Sequence, residues 1–169
     1  MPRLHVCSLN LIEAEAARTG ARSLVTLLSP GTPVTRPALI EQARHLNIAM
    51  SDILDHLPGQ VRPEMHHMDA FLAFVREWDR VHPMLIHCFA GVSRSTASAY
   101  IAVCELSPHR DEHEVAQALR KASPTATPNL RFVALADERL RRGGRMVAAI
   151  EAIGRGRECM EGAPFAMEL

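Results

Sequence analysis

HCFAGVSRST, residues 87–96, is the stretch that decides how this chain folds. It lies between a fully apolar strand candidate, MLIH at 84–87, and an alanine-rich helical run from Arg94 to Leu106 that stops at Ser107-Pro108. A strand–loop–helix unit of this kind puts the loop on the carboxyl edge of a sheet, where open α/β folds bind ligands. The residues between strand and helix can curl so that successive backbone N–H groups point inward. Closed by a helix N-terminus, such a nest is an anion site. Gly91 permits the positive φ that tight curvature demands. Arg94 supplies a planar fork of donors matched to two phosphate oxygens. The same positive field favours the thiolate of Cys88 over the thiol. The expectation is a thiolate at the base of a phosphate cradle. A buried structural cysteine would need none of these neighbours.

Outward from the loop, strand and helix signals alternate. Strands are expected at 4–7 (LHVC), 23–28 (SLVTLL), about 44–50 (RHLNIAM) and 84–87. Asn10 and Glu13 have cap spacing and Gly20 can close a helix over 11–19. A short helix is expected from Thr35-Arg36-Pro37 to about Gln42. A long amphipathic helix opens at Pro63 and runs to about 81, with Met65, Met68, Phe71, Leu72, Val75 and Trp78 at 3-4 spacing. Three more helices are expected near 111–122, 129–141 and 145–153. The reading is α/β: a central, mostly parallel sheet of about four strands flanked by helices. Residues 1–153 make one catalytic domain, and the glycine-rich stretch 154–169 reads as a loosely held tail.

Composition narrows the classes. The 169 residues suit one core, and 19 basic residues balance 19 acidic ones, so no basic field points to nucleic acid. All but one of the basic residues (Lys121) are arginine, which suggests a GC-rich, bacterial genome. Cys7, Cys88, Cys104 and Cys159 are scattered and form no CxxC pair, arguing against a disulfide framework or a zinc site. No apolar run reaches a membrane span and no secretory leader is recognisable. The expected compartment is a reducing cytosol. G-x-x-x-x-G-K-[ST] is absent, so nucleoside triphosphates are not implicated.

The pattern H-C-x-x-G-x-x-R-[S/T] at 87–95 resembles the signature of the cysteine-dependent protein tyrosine phosphatase superfamily, in its dual-specificity-like branch. The order of strand, loop and helix around it fits as well, over about residues 4–141. The resemblance implies that Cys88 is the nucleophile and forms a cysteinyl-phosphate. Arg94 would bind the phosphoryl group, together with the backbone N–H groups of Phe89, Ala90, Gly91, Val92, Ser93 and Arg94. Ser95 would donate to the Cys88 sulfur and ease its departure. His87 would shape the loop rather than act as a base. No cofactor or metal is implied. The partner would be a phosphoprotein or other phosphomonoester, and phosphate- or sulfate-like anions would enter the same loop.

The family also takes a proton from an aspartate about thirty-odd residues before the cysteine. Asp52 and Asp55 lie 36 and 33 residues upstream, and Asp69, at 19, falls inside the long helix. Asp52 directly follows the strand 44–50, the position where dual-specificity enzymes carry their acid, and is preferred over Asp55. His66-His67 look like metal ligands, but adjacent helix residues point to different faces. Asn129 could reach the phosphate loop or could simply cap a helix. Cys7 could be a resolving thiol or a buried strand residue. The expected function is hydrolysis of phosphotyrosine, with phosphoserine and phosphothreonine as further substrates. The alternative is a non-catalytic phosphate-binding module with the same loop. Sulfurtransferase or arsenate-reductase-like chemistry fits the internal position of Cys88 less well. The uncharged Phe89, Ala90, Val92 and Ser93 argue against a polyanionic lipid head group.

Overall fold

A computed structural model describes residues 3–169. Five strands form one sheet in the order β3-β2-β4-β1-β5, where β1 is Arg3–Cys7, β2 Ser23–Leu28, β3 His45–Ala49, β4 Met84–His87 and β5 Phe165–Glu168. The first four are parallel, with registers such as Val25↔Ile86 and Val6↔Ile86, and β5 runs antiparallel to β1. The two central strands are buried along their whole length. That is why SLVTLL and MLIH read as near-continuous apolar runs rather than as alternating ones.

Period-2 alternation splits the core. Leu4, Val6, Val25, Leu27, Met84 and Ile86 join the larger apolar cluster, whereas Cys7, Leu24 and Leu85 join a smaller one with Ile12 and Ala16. The smaller face is covered by α1 (Ile12–Thr19) and the larger by α2 (Met65–Glu77), α3 (Arg94–Leu106), α4 (Glu112–Ala122), α5 (Leu130–Arg139) and α6 (Arg145–Ile153). Of these, α3 is buried from Arg94 to Cys104. Its small residues Ala97, Ser98, Ala99 and Ala102 let the sheet and three other helices close around it. No helix among the described residues is long and apolar enough to cross a membrane.

Three elements differ from the sequence reading. The short helix expected from Thr35 does not form. Pro33 and Pro37 hold their neighbours extended, and a turn at Pro37–Ile40 leads into a single 3₁₀ turn at Gln42–Arg44. Helix α2 is shorter than 63–81: Glu64 caps it, and Trp78 turns extended, its indole N–H donating to His82 O at 2.9 Å. The stretch 154–169, expected to be a loose tail, supplies β5. Phe165 and Met167 are buried against the sheet, a pairing of an edge strand that glycine content does not reveal. Asn10 does not cap α1, which follows a 3₁₀ turn at Leu9–Leu11, but Gly20 closes it at φ 71°.

Candidate active site

The loop Cys88–Ser93 joins β4 to α3 and is held from outside by its carbonyls. Phe89 O accepts from Leu9 N (3.0 Å), Ala90 O from Gly162 N (2.8 Å), Val92 O from Thr127 N (2.9 Å) and Ser93 O from Asn129 N (3.2 Å). In a planar trans peptide the N–H points opposite to the carbonyl. Tying these four carbonyls outward therefore turns the N–H groups of Ala90, Gly91, Ser93 and Arg94 inward. Gly91 has φ 73°, and a Cβ there would lie 3.0 Å from the backbone of Cys7 and Ser8. Both the conformation and the close approach to the end of β1 require glycine.

Inside this curl the Cys88 side chain is nearly buried, and its Sγ lies 3.1 Å from Ser95 Oγ. Arg94 is 6% exposed. One end of its guanidinium is fixed, with Nη1 donating to Met50 O (2.9 Å) and Ser29 Oγ (3.4 Å), while the buried Nε has no partner among the described residues. Leaving a buried donor unpaired costs on the order of 1–3 kcal/mol, and more when the group is charged. An anion at the mouth of the loop would relieve that cost, so the donor set fits a phosphoryl group.

His87 is fully buried between two partners. Its Nδ1 is 3.0 Å from Cys88 O, an acceptor only, so Nδ1 carries the proton and Nε2 accepts from Thr26 Oγ1 at 2.7 Å. Thr26 in turn accepts from His45 Nε2 at 2.8 Å. Burial pushes His87 down to about 4, and the positive charge of His45 and Arg94 adds to this. At neutral pH it is an uncharged brace for the Cys88 carbonyl. Nothing in the local sequence signals the His45–Thr26 half of this hydrogen-bonded chain.

Beyond β3 the backbone makes a loop closed at its base by Ser51 N donating to Val61 O at 2.7 Å. Asp52 opens it, and its Oδ1 accepts from Ser93 Oγ at 2.7 Å and from Asn129 Nδ2 at 2.9 Å. Asn129 also donates to Ile53 O (3.2 Å) and caps α5 through Phe132 N (3.0 Å). Both readings of Asn129 are thus met in part: it is a cap, its side-chain amide reaches the aspartate, and its backbone N–H donates to Ser93 O of the Cys88–Ser93 loop. Asp55 is exposed and makes no side-chain hydrogen bond among the described residues.

The remaining candidates fall elsewhere. His67 Nδ1 accepts from Glu64 N at 2.9 Å, an internal cap of α2, and Asp69 pairs with Arg139. Among the described residues no group of three or more His, Cys, Asp or Glu could hold a metal. Cys7 is buried, and burial pushes its thiol up to about 12, with the charges of Glu15, Cys88 and Glu161 adding to the effect. All four cysteines are free thiols.

A model of the protein-tyrosine phosphatase family matches residues 56–126, which include the whole cradle but begin just after Asp52. No curated protein matches the sequence. Among solved structures the chain is similar to human DUSP28, at 20% identity and a TM-score of 0.63, covering 83% of this chain and 94% of that one. It is also similar to a mouse putative dual specificity phosphatase complexed with zinc tungstate, at 20% identity and a TM-score of 0.62 over 86% of each chain. A human tyrosine phosphatase-like serine/threonine/tyrosine-interacting protein shares the fold at 15% identity and a TM-score of 0.63, covering 83% of this chain and 92% of that one. Residues 56–126 therefore match the protein-tyrosine phosphatase family, and the chain folds like the dual-specificity phosphatases.

Proposed function

We propose that the protein hydrolyses phosphomonoesters in proteins, phosphotyrosine foremost and phosphoserine and phosphothreonine as well, through a cysteinyl-phosphate. The observation that carries this reading is the meeting of Asp52 with the phosphate loop, 2.7 Å from Ser93 Oγ, at the rim of the curl that encloses Cys88. A loop that only bound phosphate would have no use for a carboxylate there.

In the first step the Cys88 thiolate attacks phosphorus while the inward N–H groups and Arg94 spread the charge of the equatorial oxygens. The P–O bond to the leaving group breaks, and Asp52 gives that oxygen its proton. In the second step a water attacks the thiophosphate with Asp52 taking its proton. The S–P bond breaks, and Ser95, 3.1 Å from Sγ, donates to the departing sulfur. His87 braces the Cys88 carbonyl throughout. The uncharged side chains of Phe89, Ala90, Val92 and Ser93 favour a phosphoprotein over a polyanionic head group. Four free thiols suit a reducing cytoplasm.

A phosphopeptide panel run on the wild type and on Cys88→Ser tests this directly. Cys88→Ser is expected to lose turnover by about 10⁴-fold or more while still binding phosphopeptide, since an alcohol is not ionised near neutral pH but the cradle persists. Appreciable turnover by that variant would remove Cys88 from the nucleophile's role. A wild type without activity on any member would leave the binding module as the better reading.

A further inference from the structure

Beside the cradle lies a groove of about 740 Å³ that shares Asp52, Val92 and Ser93 with it, and whose remaining walls the chemistry above does not use. One wall is the acid loop, with Asp52 and Leu54; the floor includes Val92, Ser93 and Pro128; the other wall is the C-terminal stretch from Arg155 to Met160. That wall is built in. Arg120 donates to Gly154 O (2.7 Å), Gly156 N to Thr127 Oγ1 (3.1 Å), Arg157 N to Pro124 O (2.9 Å) and Gly162 N to Ala90 O (2.8 Å). Gly156 lies so close to the α4–α5 connection that a Cβ would come within 2.5 Å of Thr125. Its neighbours Arg155 and Arg157 both line the groove, next to the loop that is to hold the phosphoryl group.

The charges that face this groove are Asp52, Arg155, Arg157 and Glu158. Asp52 is engaged by Ser93 and Asn129, and Arg155 meets Glu158 at 3.7 Å with both side chains mostly in solvent. Arg157 is exposed and has no carboxylate partner among the described residues. Exposed Leu54 and Met160 give the groove an apolar rim. A fixed wall carrying an unneutralised guanidinium alongside the cradle suits a second negative charge on the same substrate molecule.

We infer that Arg157, assisted by Arg155, is a specificity-determining residue that selects phosphopeptides carrying an acidic side chain close to the phosphorylated residue. This rests on the phosphatase reading above for the occupant of the cradle, and on the groove alone for the second charge. Exposed ion pairs are individually weak, so the selection is modest and is weakened by salt.

The test is peptide binding to the Cys88→Ser chain, followed by kcat/KM for the active one. Two phosphotyrosine peptides are compared, identical except that flanking Asp and Glu are replaced by Asn and Gln. The acidic peptide should be favoured about fivefold at low salt, with the ratio collapsing towards one in Arg155→Gln/Arg157→Gln and in high salt. The ratio is internal to each protein, so a general loss of fold or activity does not move it. A wild type indifferent to the flanking charge, or a double variant that keeps the preference, overturns the assignment of the arginines. If neither peptide binds Cys88→Ser, the phosphatase reading and this one fall together. If both bind equally, only this one does.

Discussion

Residues 88–93 and residues 51–61 are both loops at the carboxyl ends of parallel strands, β4 and β3, with β2 between them, and in the proposed mechanism they carry the two halves of one reaction. The first is buried at Cys88 and has four carbonyls tied to α1's approach, the C-terminal stretch and the α4–α5 connection. The second is mostly exposed from Leu54 to Val61, with one backbone bond closing its base. Asp52 is held in place by the other loop's Ser93 and by Asn129, 77 residues away in sequence. The cradle's composition is written where the cradle is. The aspartate's position is borrowed from elsewhere in the fold, and the difference predicts how each half fails.

Asp52→Asn should show the largest effect on the borrowed side. A phosphopeptide with a poor leaving group should lose about 10²–10⁴-fold in rate, an activated aryl phosphate much less, and the alkaline limb of the pH–rate profile should disappear. Asp55→Asn should do none of this. Reversal of the two outcomes would move the acid three residues along the loop and break the comparison.

Gly91→Ala probes the self-contained side. With positive φ and a Cβ pressed to 3.0 Å from the β1 backbone, the loop must shift, and misplacement of about an ångström costs on the order of 10²-fold. Both substrates should suffer alike, because the cradle serves every leaving group. A benign Gly91→Ala would mean that the loop is less constrained than its four outer hydrogen bonds imply.

Asn129→Ala should have a smaller effect than either. The loss of one hydrogen bond to the Asp52 carboxylate corresponds to about tenfold on the poor leaving group, and loss of the α5 cap to about 1 kcal/mol of stability. If the aryl phosphate falls equally, Asn129 acts on the cradle through Ser93 and not on the acid.

The last effect is on stability and not on rate. His87 is held at about 4 against an ordinary 6.5, so on acidification the unfolded chain takes up the proton first. The stability is fully present above about 6.5 and is lost as pH falls towards about 4, by about 3 kcal/mol. Denaturation midpoints measured across that window should fall with pH, and less steeply in His87→Asn.

What could be read from the sequence follows the same division. The strands at 23–28 and 84–87 and the helix at 94–106 were legible because burial on both faces and an abrupt Ser107-Pro108 stop are local signals. The curl of the loop around Cys88 and Arg94 was legible because the glycine, the arginine and the cysteine all stand within ten positions. The helix expected at Thr35 failed because proline spacing permits a turn as readily as a first helical residue. The C-terminal stretch was misread because its order comes from distant partners: Ala90, Pro124, Thr127 and β1. Asp52 could be preferred from its place after β3, but the hands that hold it, Ser93 and Asn129, are known only from the fold.

The most direct test of the central claim is rapid-quench mass spectrometry of the protein during turnover of an aryl phosphate, with Ser95→Ala beside the wild type. Removing the donor 3.1 Å from Cys88 Sγ should slow departure of the sulfur more than its attack. Cys88 of Ser95→Ala should therefore gain the mass of one phosphoryl group and hold it at steady state, above the level in the wild type. Sustained turnover with Cys88 unmodified in both proteins, or a phosphoryl group on any other residue, would contradict the account.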